Sequence, residues 1–362
     1  MEFKIQDVIH GGPDYAELGK KGMTSRRLLD FSVSVNPFPL PRNVRRAVKK
    51  SSISEYPDPK ALELCGAISR FQNRRTDEII PVNGLSQGIW LLSYLLNSAG
   101  RDALIAGPSY GEYEKYSRIS GARVIECRSR EEDDFIPEAE KLCSRIRESR
   151  PRTTWLCNPN NPTGTQLETE DLLKISRACG ESEGYLIIDE AYINFLSPEN
   201  RSSVTAENII IMRSMTKDFS LPGLRLGYIA ADSKIISNLK KLQPVWSVSS
   251  QAQAAGIAAL KALNVYERQW ESLRRTKADF IRMLRDFNLK IFPGTANFIM
   301  VKHGNPSEEE RNKMRIKLLN SGVLIRDCAS FGLPDFARLG VLTSKKNRRL
   351  IKVLRKQRLW EK

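Results

Sequence analysis

A lysine and an aspartate in the middle of the chain could together support chemistry on a carbonyl compound. Lys217, in RSMTK, follows an apolar strand-like run, and an ammonium group is costly to bury without a partner. A lysine whose pKa is lowered by its site is a nucleophile toward carbonyl groups. Asp189 ends the run YLIID, at the carboxyl end of a predicted strand, where open α/β sheets place ligands. Taken singly, Lys217 also fits a surface loop and Asp189 a helix N-cap.

Three further segments carry groups suited to a phosphate and to a ring oxygen. Arg225, in PGLRLG, offers a forked and permanently charged grip on phosphate. The segment 83–88, NGLSQG, is a glycine-containing turn before a predicted helix, and it presents backbone N–H groups to an anion. In NPNNPTG, residues 158–164, two Asn-Pro steps predict a rigid turn. Asn161 in this turn could donate a hydrogen bond to a ring oxygen of a cofactor.

Short apolar runs alternate with longer helical segments, and they predict the elements that hold these groups. Strands are predicted over 103–106, 123–127, 153–157, 185–189, 209–213 and 223–230. Helices are predicted over 89–97, 110–120, 137–149 and 168–180. Such an alternation indicates βαβ units and therefore an α/β fold with a mostly parallel sheet.

The C-terminal third has a different pattern, which predicts a second, smaller α+β domain. Residues 249–287 read as helical, either as one long connecting helix or as two in series. Beyond them we predict strands over 289–301, 322–328 and 336–341, and helices over 307–320 and 345–359. The proline-bearing first forty residues should pack against this domain or the domain interface. The predicted organisation is a large domain of 41–275 and a small domain of 1–40 plus 276–362.

The composition limits the classes of protein and of metal site. No apolar run approaches the ~20 residues that span a bilayer, and the N-terminus lacks the apolar stretch of a signal peptide. We therefore expect a cytoplasmic protein without a membrane partner. The 6 cysteines form no CxxC pair and there are only 2 histidines, so we expect no metal site. Buried free thiols in a reducing compartment explain the cysteines.

The net charge of +16 would suit either nucleic acid or an anionic substrate. The densest basic groups lie at 42–50 and 348–358, and both fall in predicted helices. We interpret them as solvated helix faces and expect no nucleic-acid partner. A regulator that binds DNA without catalysis stays a third hypothesis, although no helix-turn-helix is evident.

The motifs NPNNPTG, IIDEAY, RSMTK and GLRLGY, in this order, resemble the signature series of the fold-type-I aminotransferases that use pyridoxal 5'-phosphate (PLP). The resemblance covers nearly the whole chain and implies PLP as the cofactor. It implies that Lys217 forms an imine with PLP and that Asp189 pairs with the pyridine nitrogen. It also implies cofactor contacts by Ser86, Gln87, Tyr110, Asn161, Tyr192, Ser214, Arg225 and Tyr56.

The resemblance also implies which part of the cofactor each of these residues would contact. Asn161 and Tyr192 would bind the ring oxygen, and Tyr110 would stack on the ring. The cofactor phosphate would be held by Ser86, Gln87, Ser214 and Arg225. Tyr56, in EYPD, would reach the cofactor phosphate of a partner subunit, which implies a homodimer with shared sites.

Within this group the chain resembles two families that act on phosphorylated amino compounds, the histidinol-phosphate aminotransferases and the threonine-phosphate decarboxylases of cobalamin biosynthesis. HGG at 10–12, DFSVSVNP at 30–37 and LIRDCA at 324–329 resemble the decarboxylases. Asp327 and the loop 331–336 depart from their pattern. The resemblance implies decarboxylation of L-threonine O-3-phosphate to (R)-1-amino-2-propanol O-2-phosphate, and also of L-serine phosphate to ethanolamine phosphate. A histidinol-phosphate or related aminotransferase is the alternative.

A phosphorylated amino acid carries about three negative charges, so its site needs several fixed donors. The resemblance assigns the substrate pocket to His10, Gly11, Asn36, Asn161, Arg326 and Arg338. Taken alone, the two arginines are also consistent with surface salt bridges. Which of them would bind the phosphate and which the carboxylate stays open.

Overall fold

The computed structural model describes residues 8–97, 101–202 and 204–361. The helices are α1 Tyr15–Lys20, α2 Arg42–Lys50, α3 Leu62–Gln72, α4 Gly84–Asn97, α5 Glu112–Ile119, α6 Ala139–Ser149, α7 Thr169–Glu181, α8 Ser233–Leu242, α9 Ser250–Lys261, α10 Leu263–Leu284, α11 Glu308–Asn320 and α12 Ser344–Lys356. The strands are β1 Leu29–Asp30, β2 Ile79–Val82, β3 Ala103–Gly107, β4 Val124–Arg128, β5 Thr153–Cys157, β6 Tyr185–Asp189, β7 Ile209–Ser214, β8 Gly227–Ala230, β9 Lys290–Phe292, β10 Phe298–Lys302, β11 Val323–Leu324, β12 Arg326–Asp327 and β13 Phe336–Gly340.

The central sheet has seven strands in the order β2-β8-β7-β6-β5-β3-β4, and β8 alone runs antiparallel to its neighbours. All residues of β5 are buried, as expected for a parallel strand whose two faces are covered by helices. The register pairs Cys157 at the end of β5 with Asp189 at the end of β6, and Asp189 with Met212 of β7. The segments that follow these strands therefore emerge at one edge of the sheet.

A second sheet is antiparallel, with four strands in the order β12-β13-β10-β9. The N-terminal segment lies beside this region, because β1 pairs in parallel with β11 and the Gly340 N–H donates to the Phe31 carbonyl at 2.8 Å. Residues 1–7 of the predicted small domain lie outside the described residues. The predicted domain limits stay a prediction, and the limit at 275 falls inside α10.

Two predicted elements near the sheet edge are corrected by the structure. The helix expected from 89 begins at Gly84, which adopts φ +71°, so the segment 83–88 forms its first turn. The strand predicted over 223–230 begins only at Gly227. Before it, a 3₁₀ turn covers Pro222–Leu224, and Arg225 has a left-handed φ of 55°. The earlier helix start brings the backbone of α4 to the sheet edge, and the turn before β8 brings the Arg225 side chain there.

Two other predictions differ from the structure in the C-terminal region. The run 289–301 is a hairpin of β9 and β10, with Gly294 at φ +51° in its turn. The run 322–328 contributes two short strands to different sheets. The helical stretch 249–287 holds two helices in series that meet at Ala262, as one of the two predicted alternatives has it. Strand β2 was not predicted. Its Pro81 is tolerated because β2 lies at an edge of the sheet.

Within the described ranges, none of the helices has the length and apolar character needed to cross a bilayer. Among the same residues, no cluster of His, Cys, Asp or Glu side chains is arranged to hold a metal ion.

Candidate active site

A cavity of about 720 Å³ lies at the carboxyl edge of the central sheet. It is bounded by the ends of β5, β6 and β7, by the start of α4, by α5, by the second sheet and by the N-terminal segment. Most predicted site residues line it, namely His10, Gly11, Ser86, Tyr110, Asn161, Asp189, Tyr192, Ser214, Lys217, Arg225, Arg326 and Arg338.

Asp189 ends β6, and Lys217 lies three residues beyond the end of the adjacent strand β7, and both line this cavity. The Lys217 Nζ lies 5.2 Å from the centre of the Tyr192 ring. Burial lowers the pKa of Lys217, and the Asp189 carboxylate acts in the opposite direction. Burial raises the pKa of Asp189, with Lys217 and a hydrogen bond opposing that shift. A lysine with a lowered pKa has more of the neutral, nucleophilic amine.

Two hydrogen bonds fix the Asp189 carboxylate, and sequence analysis identified neither. The Tyr113 hydroxyl donates to Oδ2 at 2.7 Å, and the Ala191 N–H donates to Oδ1 at 2.9 Å. Tyr113 lies in the first turn of α5 and Tyr110 lies three residues earlier, just before the helix, and both line the cavity. That spacing was the available signal in PSYGEY.

The start of α4 and the end of β7 form an anion cradle. Ser86 lies in the first turn of α4, where N–H groups and the helix dipole attract negative charge. A Cβ on Gly84 would lie 2.6 Å from Arg225 Nη2, so only glycine lets this guanidinium approach the helix start. The Ser214 and Thr216 hydroxyls lie 2.6 Å apart and both residues line the cavity. Thr216 was not predicted.

These groups fit PLP as the predicted cofactor. Lys217 offers an amine for its aldehyde, and Asp189 offers a carboxylate that can accept a hydrogen bond from a protonated ring nitrogen. The cradle at the start of α4 offers N–H groups and the Arg225 guanidinium for its phosphate. Tyr110 and Tyr192 present aromatic rings to the cavity, and Tyr192 is held edge-on by Phe298 at a centroid distance of 5.1 Å.

Arg326 and Arg338 lie directly opposite each other on the antiparallel strands β12 and β13. Both are buried, and within the described part of the chain neither forms an ion pair with a carboxylate. Arg338 donates to the Asn161 side-chain oxygen and, at 2.8 Å, to the Ser32 carbonyl. Like charges placed opposite each other on a sheet are destabilising, so this pair is suited to an anionic ligand.

Residues 8–12 are here called the strap, and residues 8–11 line the cavity beside Arg326. The Ile9 carbonyl accepts from Arg326 Nη2 at 2.6 Å. His10 Nε2 lies 3.0 Å from the buried Glu112 carboxylate, which holds the Glu112 pKa below its usual range. A Cβ on Gly11 would lie 2.3 Å from the Ser32 carbonyl oxygen, so glycine is required there.

Gln87 and Asn36 were predicted site residues, but their side chains turn away from the cavity. The Gln87 Oε1 accepts from the Asn83 N–H at 2.8 Å, and its Nε2 donates to the Ser247 hydroxyl at 3.1 Å. The Asn36 Nδ2 donates to the Asp218 carbonyl at 3.0 Å. Asn36 stays close to the site through its backbone, whose N–H donates to the Lys217 carbonyl at 2.8 Å.

Tyr56 is also absent from the cavity lining, being 78% exposed. Its ring stacks on Trp246 with centroids 4.2 Å apart. Ile53, Leu62 and Val245 are exposed as well, and they lie in the same two chain segments. An exposed set of large apolar side chains is typical of a surface that binds another protein.

Comparison with known proteins finds relatives along most of the chain. Residues 26–354 match the family model described as aminotransferase class I and II. A histidinol-phosphate aminotransferase of Thermoanaerobacter sp. strain X514 is 31% identical over 325 residues, covering 88% of this chain and 90% of the relative. The threonine-phosphate decarboxylase of Salmonella typhimurium strain LT2 is 31% identical over 359 residues, covering 96% and 95%.

Solved structures agree with the predicted fold. The crystal structure of the histidinol-phosphate aminotransferase from Clostridium acetobutylicum superimposes with a TM-score of 0.80 at 29% identity, covering 91% of this chain and 99% of that one. The Sinorhizobium meliloti histidinol-phosphate aminotransferase in complex with pyridoxal-5'-phosphate gives 0.85 at 20% identity, covering 96% of each. The predicted fold class, α/β with a mostly parallel central sheet and a smaller α+β part, is confirmed.

Proposed function

Because the chain belongs to the class I and II aminotransferase family and uses PLP as its cofactor, we propose that it decarboxylates L-threonine O-3-phosphate. The product would be (R)-1-amino-2-propanol O-2-phosphate. The observation that carries this proposal is the buried arginine pair Arg326 and Arg338 beside the strap. A compact substrate with both a phosphate and a carboxylate supplies one anion for each guanidinium, whereas histidinol phosphate has no carboxylate.

The charge of the cavity supports an anionic substrate. Five cations line it without a carboxylate ion-pair partner among the described residues, namely Lys115, Lys217, Arg225, Arg326 and Arg338. The carboxylates that line it are Asp189 and Glu114, and Glu114 is already paired with Arg118 at 2.8 Å. A site with this excess of fixed positive charge is suited to the cofactor phosphate and a second, multiply charged anion.

The arginine pair would also select the reaction. When bound, PLP withdraws electrons from the bond to the substrate Cα that lies perpendicular to its ring. Arg326 and Arg338 would hold the two anionic groups so that the carboxylate, rather than the Cα hydrogen, takes that orientation. Lys217, with its lowered pKa, would then deliver a proton to Cα. L-Serine phosphate lacks one methyl group, which is worth only ~1–3 kcal/mol, so it should react as well.

The exposed patch around Tyr56 supports a homodimer. Tyr56 and Trp246 form a stacked pair on the surface, flanked by Ile53 and Val245. We propose that a second copy of the chain covers this patch and that Tyr56 reaches the cofactor phosphate of the partner subunit. A dimer would bury the apolar side chains that the single chain leaves exposed.

A histidinol-phosphate aminotransferase is the second candidate, favoured by the Thermoanaerobacter relative at 31% identity. The two activities differ in their products. Purified protein with PLP is incubated with L-threonine phosphate alone, and separately with histidinol phosphate and 2-oxoglutarate. We expect CO₂ release and amino-alcohol phosphate in the first mixture without any 2-oxo acid, and no glutamate in the second.

Unphosphorylated L-threonine is the matched control, because it keeps the amino acid but lacks the phosphate. It should react far more slowly if the arginine pair selects the phosphate. Glutamate formation from histidinol phosphate, with no CO₂ from either amino acid phosphate, would replace the decarboxylase proposal by the alternative.

A further inference from the structure

We propose that Tyr113 is a positioning residue that keeps the Asp189 carboxylate ionised and in one orientation, and so determines how tightly the cofactor ring is bound. This role concerns the cofactor end of the cavity and does not depend on which substrate the enzyme takes. It can therefore be tested separately from the proposed decarboxylation.

The geometry gives each Asp189 oxygen its own donor. The Tyr113 hydroxyl lies 2.7 Å from Oδ2, and the Ala191 N–H lies 2.9 Å from Oδ1. Two donors on two different oxygens fix the plane of the carboxylate. Because Asp189 and Tyr113 are both buried, water does not substitute for either bond.

Packing on both sides holds the Tyr113 ring in place. It stacks on Trp155 of β5 with centroids 5.2 Å apart and an interplanar angle of 12°. On the other side the Tyr110 ring, which lines the cavity, meets it edge-on at 5.6 Å and 82°. The hydroxyl is therefore presented to Asp189 by a rigid ring, and the bond needs no rearrangement when the cofactor binds.

The chemistry of the pair favours an anionic aspartate. Burial raises the pKa of Asp189, and the Tyr113 hydrogen bond opposes that shift together with Lys217. Burial also raises the pKa of Tyr113 well above its usual range, so its hydroxyl remains a donor throughout the pH range of a folded enzyme. An ionised carboxylate is the form that can keep a ring nitrogen protonated.

Other titratable groups also face Asp189, and their contributions differ from that of Tyr113. They are Lys217, Tyr110, Cys157, Glu190 and Tyr192. Lys217 is engaged by the cofactor aldehyde in the holoenzyme. Burial raises the pKa values of the Cys157 thiol and the Tyr192 phenol, so both stay neutral. Tyr113 is thus the neutral side chain whose hydroxyl donates directly to this carboxylate.

The test is Tyr113→Phe, which keeps the ring packing and removes only the hydroxyl. We expect PLP to bind on the order of tenfold more weakly, as for the loss of a hydrogen bond to a charged group. We also expect the pH midpoint of the bound cofactor's visible absorption to move upward. A ring nitrogen with less positive charge lets the linkage to Lys217 keep its proton to higher pH.

Tyr94→Phe is the matched control, since Tyr94 lies on α4, is 53% exposed and does not line the cavity. It should leave both quantities unchanged. The same hydroxyl deletion in an Asp189→Asn background should have no further effect on PLP affinity, because Tyr113 acts through the carboxylate. Wild-type affinity and midpoint in folded Tyr113→Phe would overturn the proposal, as would an equal loss in the Asp189→Asn background.

Discussion

The two ends of the cavity are built in different ways. At the cofactor end, Asp189, Ser214 and Lys217 come from neighbouring parallel strands and the short segments that follow them. At the substrate end, Arg326 meets the carbonyl of Ile9 across a separation of 317 residues, and Arg338 meets Ser32 across 306. The cofactor end is therefore set by local order along one sheet, whereas the substrate end requires the N-terminal segment and the second sheet to come together.

Because of this difference, a substitution can affect cofactor binding or substrate choice separately. Groups at the cofactor end would serve any substrate, because in the proposed arrangement they contact the ring, its nitrogen and its phosphate. Arg326 and the strap belong to other elements and should vary with less effect on the cofactor, whereas Arg338 also donates to Asn161. A family with a common cofactor site can thus take different substrates, in line with the two kinds of relative that are 31% identical to this chain.

The largest expected effect is that of Lys217→Ala, at the cofactor end. Turnover should fall by about 10⁴-fold, because both the amine for the cofactor aldehyde and the proton donor are lost. The visible absorption of the purified protein should disappear as well. Steady-state kinetics and an absorption spectrum measure these two losses.

Because the two ends are built from different elements, Lys217→Ala should still bind the substrate. Calorimetric titration with L-threonine phosphate should still give heat of binding within a few-fold of wild-type affinity. A Lys217→Ala protein that keeps its colour and more than a tenth of its turnover would show that the assignment of Lys217 is wrong.

The sequence brings Asp189 and Lys217 into one cavity for a physical reason. Asp189 and Lys217 each follow an apolar strand, and parallel strands bring their carboxyl ends to one edge whatever their order. The side-chain directions of Gln87 and Asn36 depend on a helix start and on a contact with Asp218, and neither is visible in the pattern.

The substrate end was harder to predict beyond the residues that a family resemblance supplied. The opposition of Arg326 and Arg338 depends on the antiparallel register of two strands, one of which is only two residues long. The contacts of the strap with Glu112 and Ser32 join elements that are distant in sequence. Such pairs follow from tertiary packing and not from local periodicity.

A smaller effect is expected at the substrate end from Arg326→Gln. The KM for the phosphorylated substrate should rise roughly tenfold to a hundredfold, as for the loss of a charge-assisted contact, with little change in the cofactor spectrum. Steady-state kinetics over a range of substrate concentrations separates KM from kcat.

Arg348→Gln, an exposed arginine of α12, is the matched control and should behave as wild type. The contrast between the two ends fails if Arg326→Gln bleaches the cofactor absorption while its KM stays unchanged.

A buried lysine lies where the second sheet meets the loop that carries Asn161, which is here called the seam between the two ends. Lys277 of α10 donates to the carbonyls of Gly294 and Ala296 at 2.9 and 2.6 Å. The Thr295 N–H in turn donates to the Gly164 carbonyl at 2.7 Å, in the loop that carries Asn161. Burial lowers the pKa of Lys277 to about 7.

The smallest effect on turnover is expected from Lys277→Met, which should instead change the pH dependence of stability. Between about pH 7 and 10 the unfolded lysine holds a proton that the folded one has lost, so wild-type stability gains up to ~1.4 kcal/mol per pH unit over that range. Below pH 7 both states are protonated and the gain ends. Urea unfolding at pH 6, 7.5 and 9 should therefore show the wild type gaining stability relative to Lys277→Met as pH rises.

Lys346→Met, at an exposed position, should show no such trend. A pH-independent difference between wild type and Lys277→Met would mean that the amine keeps its proton at the seam, and that the two ends are joined by a buried cation.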